Sequence, residues 1–202
     1  MSPGPTFDRV YLALKEQVAS GRFVPGDHLE PASLGEELNA SITPVRDALH
    51  RLVGERIIEA PRNDGFRVPA PLEAEVRDLY GWNCQLLELA LRSGGARAAA
   101  APGGAEEFSG GDAADLFRRI SRMAANGEHQ AAIENLNDRL APLRTAEGRL
   151  FDDIEEELSG MAGTLAARDL AGLRRKVVAY HRRRQRSVPE LLALARRLRE
   201  PR

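Results

Sequence analysis

The stretch from Leu34 to Leu49 constrains the fold more than any other part of the chain, because it predicts two helices joined by a tight turn. Residues 39–41 (Asn-Ala-Ser) form the predicted turn. Thr43 followed by Pro44 is typical of a helix start, with Thr43 as the N-cap and Pro44 as the first helical residue. The stretch therefore predicts a helix-turn-helix.

The second of these helices has one apolar stripe and one polar end. Its apolar residues recur at i, i+4, i+7 and i+8, which predicts a buried stripe of Val45, Leu49, Leu52 and Val53. Ser41, Thr43 and Arg46 then lie at the exposed leading end. A helix-turn-helix protein uses that end to contact base edges in the major groove.

Two short strand-like runs follow, at 57–60 and 66–68. They flank a loop, 61–65, that contains Asn-Asp-Gly and so supplies residues that tolerate positive φ. This arrangement predicts a β-hairpin, and a helix-turn-helix followed by a hairpin is a winged helix. Asn63 and Gly65 lie in the predicted wing, at the DNA backbone or minor groove.

Residues 7–70 resemble the DNA-binding domain of the GntR family of bacterial transcription regulators. The segments that carry the resemblance are 20–29, 41–49 and 62–68, in the family's order and spacing. The family usually has a DNA-contacting arginine where this chain has Ile42, so sequence readout is expected to differ. The expected DNA-binding residues are Ser41, Thr43, Arg46, Arg51, Arg62, Asn63, Gly65 and Arg67.

Charge gives less support for DNA binding than the motifs do. Residues 1–70 contain eight Lys and Arg against ten Asp and Glu, whereas a DNA-binding protein usually presents a basic face. Positive charge must therefore be concentrated on Arg46, Arg51, Arg62 and Arg67. Otherwise the domain is a degraded winged helix that contacts protein instead of DNA.

The rest of the chain has helical periodicity and predicts an antiparallel all-helical bundle. The predicted domains are 1–70, a linker and helix start at 71–78, and a helical domain at 79–202. The first bundle helix is expected to end at 93–95 (Ser-Gly-Gly), before a Gly-rich loop that extends through Gly110 and Gly111. The fold class is thus mostly α, with a small β-hairpin wing.

This second part resembles the effector-binding, dimerising FCD domain of the FadR subgroup, through segments 78–80, 116–120 and 167–170. The resemblance implies a homodimer and a small organic acid effector, often held beside a divalent metal. The four positions that match the family's metal ligands are Ala114, Arg118, Leu158 and Tyr180. None is a usual ligand, so we expect no metal cofactor.

The same resemblance implies a candidate effector pocket at Asn83, Arg118, Tyr180 and His181. Arg118 could bind a carboxylate by a bidentate contact, or it could lie on a solvated face, which the sequence slightly favours. The basic run 182–186 could bind nucleic acid or lipid. Pairing with the acidic residues of 152–157 is the favoured interpretation.

Composition excludes several other classes. An apolar content of 43% with a mean hydropathy of −0.38 is typical of a globular protein. Cys84 is the single cysteine, which fits a reducing cytoplasm, and no apolar run is long enough to span a membrane. No nucleophile elbow, phosphate loop or dinucleotide fingerprint is present, so an enzyme is not expected.

The sequence therefore predicts a cytoplasmic, dimeric transcription regulator that binds a pseudo-palindromic operator in double-stranded DNA. Two alternatives stay open. One is a dimeric protein-interaction module with a degraded winged helix, and the other is a DNA-bound regulator without an effector.

Overall fold

The computed structural model describes residues 5–98 and 112–197, with side chains for 6–93 and 112–197. Nine helices lie in these ranges: α1 (Pro5–Ala19), α2 (Pro31–Glu37), α3 (Ile42–Gly54), α4 (Glu73–Ala98), α5 (Ala113–Ser121), α6 (Gly127–Leu150), α7 (Ile154–Ala166), α8 (Leu170–Arg186) and α9 (Val188–Arg197). The described residues form two compact units. The first contains 5–72, 138–147 and 191–197, and the second contains 73–98, 112–137 and 148–190. The predicted domain ranges stay a prediction.

The first unit is built around α3, which packs against α1 and α2. Val45, Leu49 and Leu52 are completely buried, as the periodicity predicts, whereas Val53 is only partly buried. Burying an aliphatic side chain stabilises a fold by about 1.5–3 kcal/mol. The buried stripe therefore fixes which face of α3 points away from the core.

The turn between α2 and α3 depends on a close backbone approach. The Ala40 N–H donates to the Gly35 carbonyl at 2.9 Å, and Asn39 adopts φ 48°. A Cβ on Gly35 would lie 2.9 Å from the Ala40 carbonyl oxygen. The turn thus closes tightly because residue 35 has no side chain.

The predicted start of α3 is wrong by two residues. Ser41 is the N-cap, with extended backbone, and the helix begins at Ile42 instead of Pro44. Thr43 and Pro44 are its second and third residues. Proline is accepted there because the first-turn N–H groups of a helix have no intrahelical partner to lose.

The predicted β-hairpin is not confirmed. Glu59 and Arg67 exchange two backbone hydrogen bonds of 2.9 Å but form only an isolated bridge, and the described residues contain no longer strand. The N–H groups of Ile57 and Ile58 donate to the Leu52 carbonyl and so extend the end of α3. These two residues therefore cannot pair across the wing.

Segment 66–68 also pairs, on its other side, with segment 26–29, which precedes α2. Leu29 N–H donates to Phe66 O at 2.8 Å, and Val68 N–H donates to Asp27 O at 2.9 Å. The loop 61–65 therefore projects from a base that is fixed on both sides. We call this loop the wing.

The second unit is helical, with α4, α5, α7, α8 and the start of α6 around one core. Leu87, Leu116, Ile133, Met161 and Val177 are completely buried in it. The mostly α-helical fold class is confirmed, whereas the FCD-type bundle stays a prediction. No helix in the described ranges is long and apolar enough to cross a membrane.

The predicted end of the first bundle helix at 93–95 is wrong, because α4 continues to Ala98. Each glycine in a helix interior costs about 1 kcal/mol relative to alanine. Two adjacent glycines are therefore tolerated in a helix of 26 residues whose earlier turns are packed into the core. The predicted loop through Gly110 and Gly111 lies outside the described residues.

Candidate nucleic-acid interface

An open groove of about 540 Å³ lies beside the leading end of α3 in the first unit. Three segments form it: the residues that precede and open α2, the start of α3, and the wing. The lining residues are His28, Leu29, Glu30, Pro31, Ala32, Ile42, Arg46, Asn63, Asp64, Gly65 and Phe66. Three of the predicted DNA-binding residues, Arg46, Asn63 and Gly65, thus line one concave surface, whereas Ser41, Thr43 and Arg62 are not among its lining residues.

The first turn of α3 presents its side chains to solvent. Ser41, Thr43 and Arg46 are exposed, whereas Val45 on the opposite face is completely buried. The buried stripe determines this orientation, because residues one position apart on a helix point about 100° apart. The leading end is therefore available to a ligand.

Arg46 and Arg62 are the two predicted DNA-binding arginines that are available for new contacts. Both are exposed, and neither forms an ion pair or hydrogen bond with any residue that the structure describes. Arg46 lies on α3, and Arg62 lies in the wing. A guanidinium in this state can bind a base edge or a phosphate without breaking an existing ion pair.

Arg51 is held by contacts inside the domain. Its guanidinium lies 4.0 Å from the centre of the Tyr11 ring, and its Nε donates to Glu55 at 3.0 Å. The Tyr11 hydroxyl donates to the same carboxylate at 2.8 Å. Arg51 therefore links α3 to α1.

Arg67 is also paired, with Glu59 at the base of the wing and with Asp64 at 3.2 Å. Of the four arginines on which positive charge was expected to concentrate, two thus have carboxylate partners. Arg46 and Arg62 are thus the two of these four whose charge is not offset by a carboxylate partner among the described residues.

The tip of the wing has the backbone that its sequence favours. Asp64 N–H donates to Pro61 O at 3.2 Å, and Asn63 and Gly65 adopt φ values of 63° and 65°. Asparagine and glycine are the residues that enter this left-handed region most readily. Asn63 and Gly65 therefore fix the direction of the wing.

Two residues that matter in this region were not predicted from the sequence. Gly35 is needed for the closed turn, and His28 lines the groove because its segment pairs with Arg67 of the wing. The sequence did contain a signal for Gly35, since a glycine within the first helix of a predicted helix-turn-helix indicates a close backbone contact. No local signal identifies His28, since its place depends on pairing with residues nearly forty positions away.

Three of the four predicted effector-pocket residues lie together in the core of the second unit. Asn83, Tyr180 and His181 are at most 1% exposed. His181 Nε2 lies 2.8 Å from the Asn83 side-chain oxygen, and its Nδ1 donates to Val177 O at 2.7 Å. The Phe117 ring packs against both Tyr180 and His181, at centroid distances of 5.3 and 5.4 Å.

Arg118 is not part of this cluster's polar contacts. It is about one-third exposed and pairs with Asp115 and with Glu134, the latter at 2.6 Å. Leu158 and Tyr180, two of the other positions matched to metal ligands, are buried and cannot coordinate a metal in the usual way. The residues present therefore do not fit the metal site that the resemblance implies.

The basic run 182–186 is partly paired with acids, as its favoured interpretation predicted. Arg183 binds Asp153 through two hydrogen bonds of 2.6 and 2.9 Å. Arg184 is completely buried and binds Glu157 at 2.5 Å. These two pairs join α8 to the start of α7.

Comparison with known proteins finds a family match for the N-terminal part of the first unit. Residues 6–68 match the model of the bacterial regulatory proteins, gntR family. The HTH-type transcriptional repressor GlaR of Escherichia coli is 30% identical over 89 residues, which are 42% of this chain and 40% of GlaR. The HTH-type transcriptional regulator YdhC of Bacillus subtilis is 26% identical over 89 residues, 44% of this chain and 40% of YdhC.

Two solved structures share the fold over almost the whole chain. E. coli McbR/YncC has a TM-score of 0.69 at 20% identity and covers 93% of this chain and 99% of its own. A GntR-type protein from Rhodococcus sp. RHA1 has a TM-score of 0.69 at 17% identity, covering 91% and 97%. In sequence, by contrast, the chain spans only about 40% of the length of GlaR and YdhC. Residues 6–68 therefore match the gntR family of bacterial regulatory proteins, and the rest of the chain resembles the solved structures in fold alone.

Proposed function

We propose that this protein is a transcription regulator that binds double-stranded DNA through the groove described above. Thr43 and Arg46 enter the major groove, and the wing from Arg62 to Gly65 contacts the sugar-phosphate backbone or the minor groove. The observation that carries the proposal is the exposed leading end of α3, where Arg46 lines an open groove without a partner among the described residues. The family of residues 6–68 supports the same function.

The proposal extends to a homodimer on a pseudo-palindromic operator. A two-fold dimer of helix-turn-helix units requires half-sites about one helical turn apart, or a multiple of it. The resemblance of the helical part adds a small organic acid as effector. A carboxylate that used Arg118 as its anchor would have to displace Asp115 and Glu134.

Replacement of Arg46 tests the proposed interface. The operator is first selected from a random duplex pool with the full chain, and duplex affinity is then measured for the wild type and for Arg46→Ala. Loss of a bidentate base contact costs about 1–3 kcal/mol, which is roughly a 5- to 150-fold loss of affinity. Arg149→Ala is the matched control, because it removes the same charge from an exposed position on α6.

The salt dependence of duplex affinity separates DNA binding from the second candidate function, which is a protein-interaction module. Two of the four expected arginines are paired with carboxylates, which favours a protein-interaction module over a strongly basic DNA surface. A protein that contacts phosphates loses duplex affinity steeply as salt rises. Absence of sequence-selective binding, or equal affinity for wild type and Arg46→Ala, would refute the proposed interface.

A further inference from the structure

Ile42 is a large apolar side chain exposed to solvent at the mouth of the groove. It is 51% exposed, although Val45, Leu49 and Leu52 of the same helix are completely buried. It lines the groove together with Arg46 and the wing. Packing within the unit does not account for an isoleucine at this position.

An apolar side chain discriminates among base pairs in one way. In the major groove the four bases present hydrogen-bond donors and acceptors, and only thymine adds an apolar feature, its C5-methyl group. Isoleucine has no donor or acceptor, so any other base opposite it would lose water contacts without replacement. Thymine is therefore the base that Ile42 can favour.

We propose that Ile42 selects a thymine in the operator by contact with its methyl group. This inference rests on the proposed DNA-binding function. Ile42 and Arg46 are four residues apart and share one face of α3, about 6 Å apart along its axis. Base pairs are about 3.4 Å apart along DNA, so the selected thymine lies within about two base pairs of the pair that Arg46 contacts.

Deoxyuridine substitution tests this contact, because deoxyuridine differs from thymidine only by the missing methyl group. Each thymine of the selected operator is replaced in turn, and duplex affinity is measured for the full-length wild type. At one thymine per half-site, replacement is expected to weaken binding about fourfold, as loss of one buried methyl implies. For Ile42→Ala, the same replacement is expected to have no effect.

Two further variants complete the test. Leu12→Ala removes another exposed apolar side chain, on α1, and it should keep the wild-type sensitivity to deoxyuridine. Repeated selection with Ile42→Arg should change the preference at that position from thymine to guanine, which arginine recognises best.

The outcomes separate the two proposals. The thymine contact is wrong if no thymine shows the methyl effect, or if the effect persists in Ile42→Ala, while Arg46→Ala still weakens binding. If Arg46→Ala has no effect either, or no operator is selected, the DNA-binding proposal fails and the thymine contact fails with it.

Discussion

Replacement of Gly35 by alanine tests the structural basis of the helix-turn-helix. Gly35 is a buried residue of α2, and its carbonyl accepts the hydrogen bond from Ala40 N–H that closes the turn. The added Cβ would lie 2.9 Å from the Ala40 carbonyl oxygen and 3.9 Å from a Val45 methyl group. The closest atom belongs to the backbone, so no side-chain rotation can relieve the contact.

The expected magnitude follows from two opposing effects. Glycine to alanine in a helix interior stabilises by about 1 kcal/mol when space is available. Overpacking that displaces backbone costs about 1–3 kcal/mol. Ala40 must move by roughly 0.5 Å to restore ordinary contact, and this movement pulls on the closing hydrogen bond. The difference between the two effects is a net destabilisation of up to about 2 kcal/mol.

Gly54→Ala is the matched control, because it makes the same chemical change in α3 of the same unit. A Cβ on Gly54 meets no atom within 4 Å. Thermal unfolding followed by circular dichroism should show a lower melting temperature for Gly35→Ala and an unchanged or higher one for Gly54→Ala. If Gly35→Ala is as stable as Gly54→Ala, the close approach in the turn is not a constraint.

Two further predictions concern the second unit. Glu157→Gln removes the carboxylate charge that lies 2.5 Å from the buried Arg184 guanidinium and should lower the free energy of unfolding in urea by about 2–4 kcal/mol, whereas exposed Glu156→Gln should change it little. Burial, the largest cause, raises the pKa of the Cys84 thiol to about 11. The rate of alkylation by iodoacetamide should therefore increase with pH, with a midpoint near pH 11 in the native protein and near pH 9 in the protein unfolded by urea. The raised pKa stabilises the fold below about pH 9, and this contribution is lost as pH rises through 11. Alkylation of native Cys84 with a midpoint near 9, or equal stability of the two glutamate variants, would contradict the respective prediction.

The sequence predicted most of the helices and the exposed leading end of α3, because both depend on local spacing. The period of Val45, Leu49 and Leu52 defines a buried face whatever packs against it, and it leaves Thr43 and Arg46 exposed. The wing tip was equally local, since Asn and Gly favour the positive φ observed there. The mostly α-helical class follows from the same periodicity.

Only the tertiary structure decided where the wing is paired and which arginines are available. The hairpin was predicted between neighbouring segments, which join only at the Glu59–Arg67 bridge, whereas segment 66–68 also pairs with segment 26–29, about forty residues earlier in the chain. Arg67 lies beside Glu59 across the bridge, and the Arg51 guanidinium lies over the Tyr11 ring of α1, whereas the pairing of Arg51 with Glu55 is a local contact between residues four apart.

The physical reason is the range of the interactions involved. Helix periodicity is set by residues three and four apart, which the sequence displays directly. Contacts between distant segments also act within about 4 Å in space, but they depend on which segments the core brings together. Availability of a side chain for DNA is therefore a property of the folded unit and not of the motif that contains it.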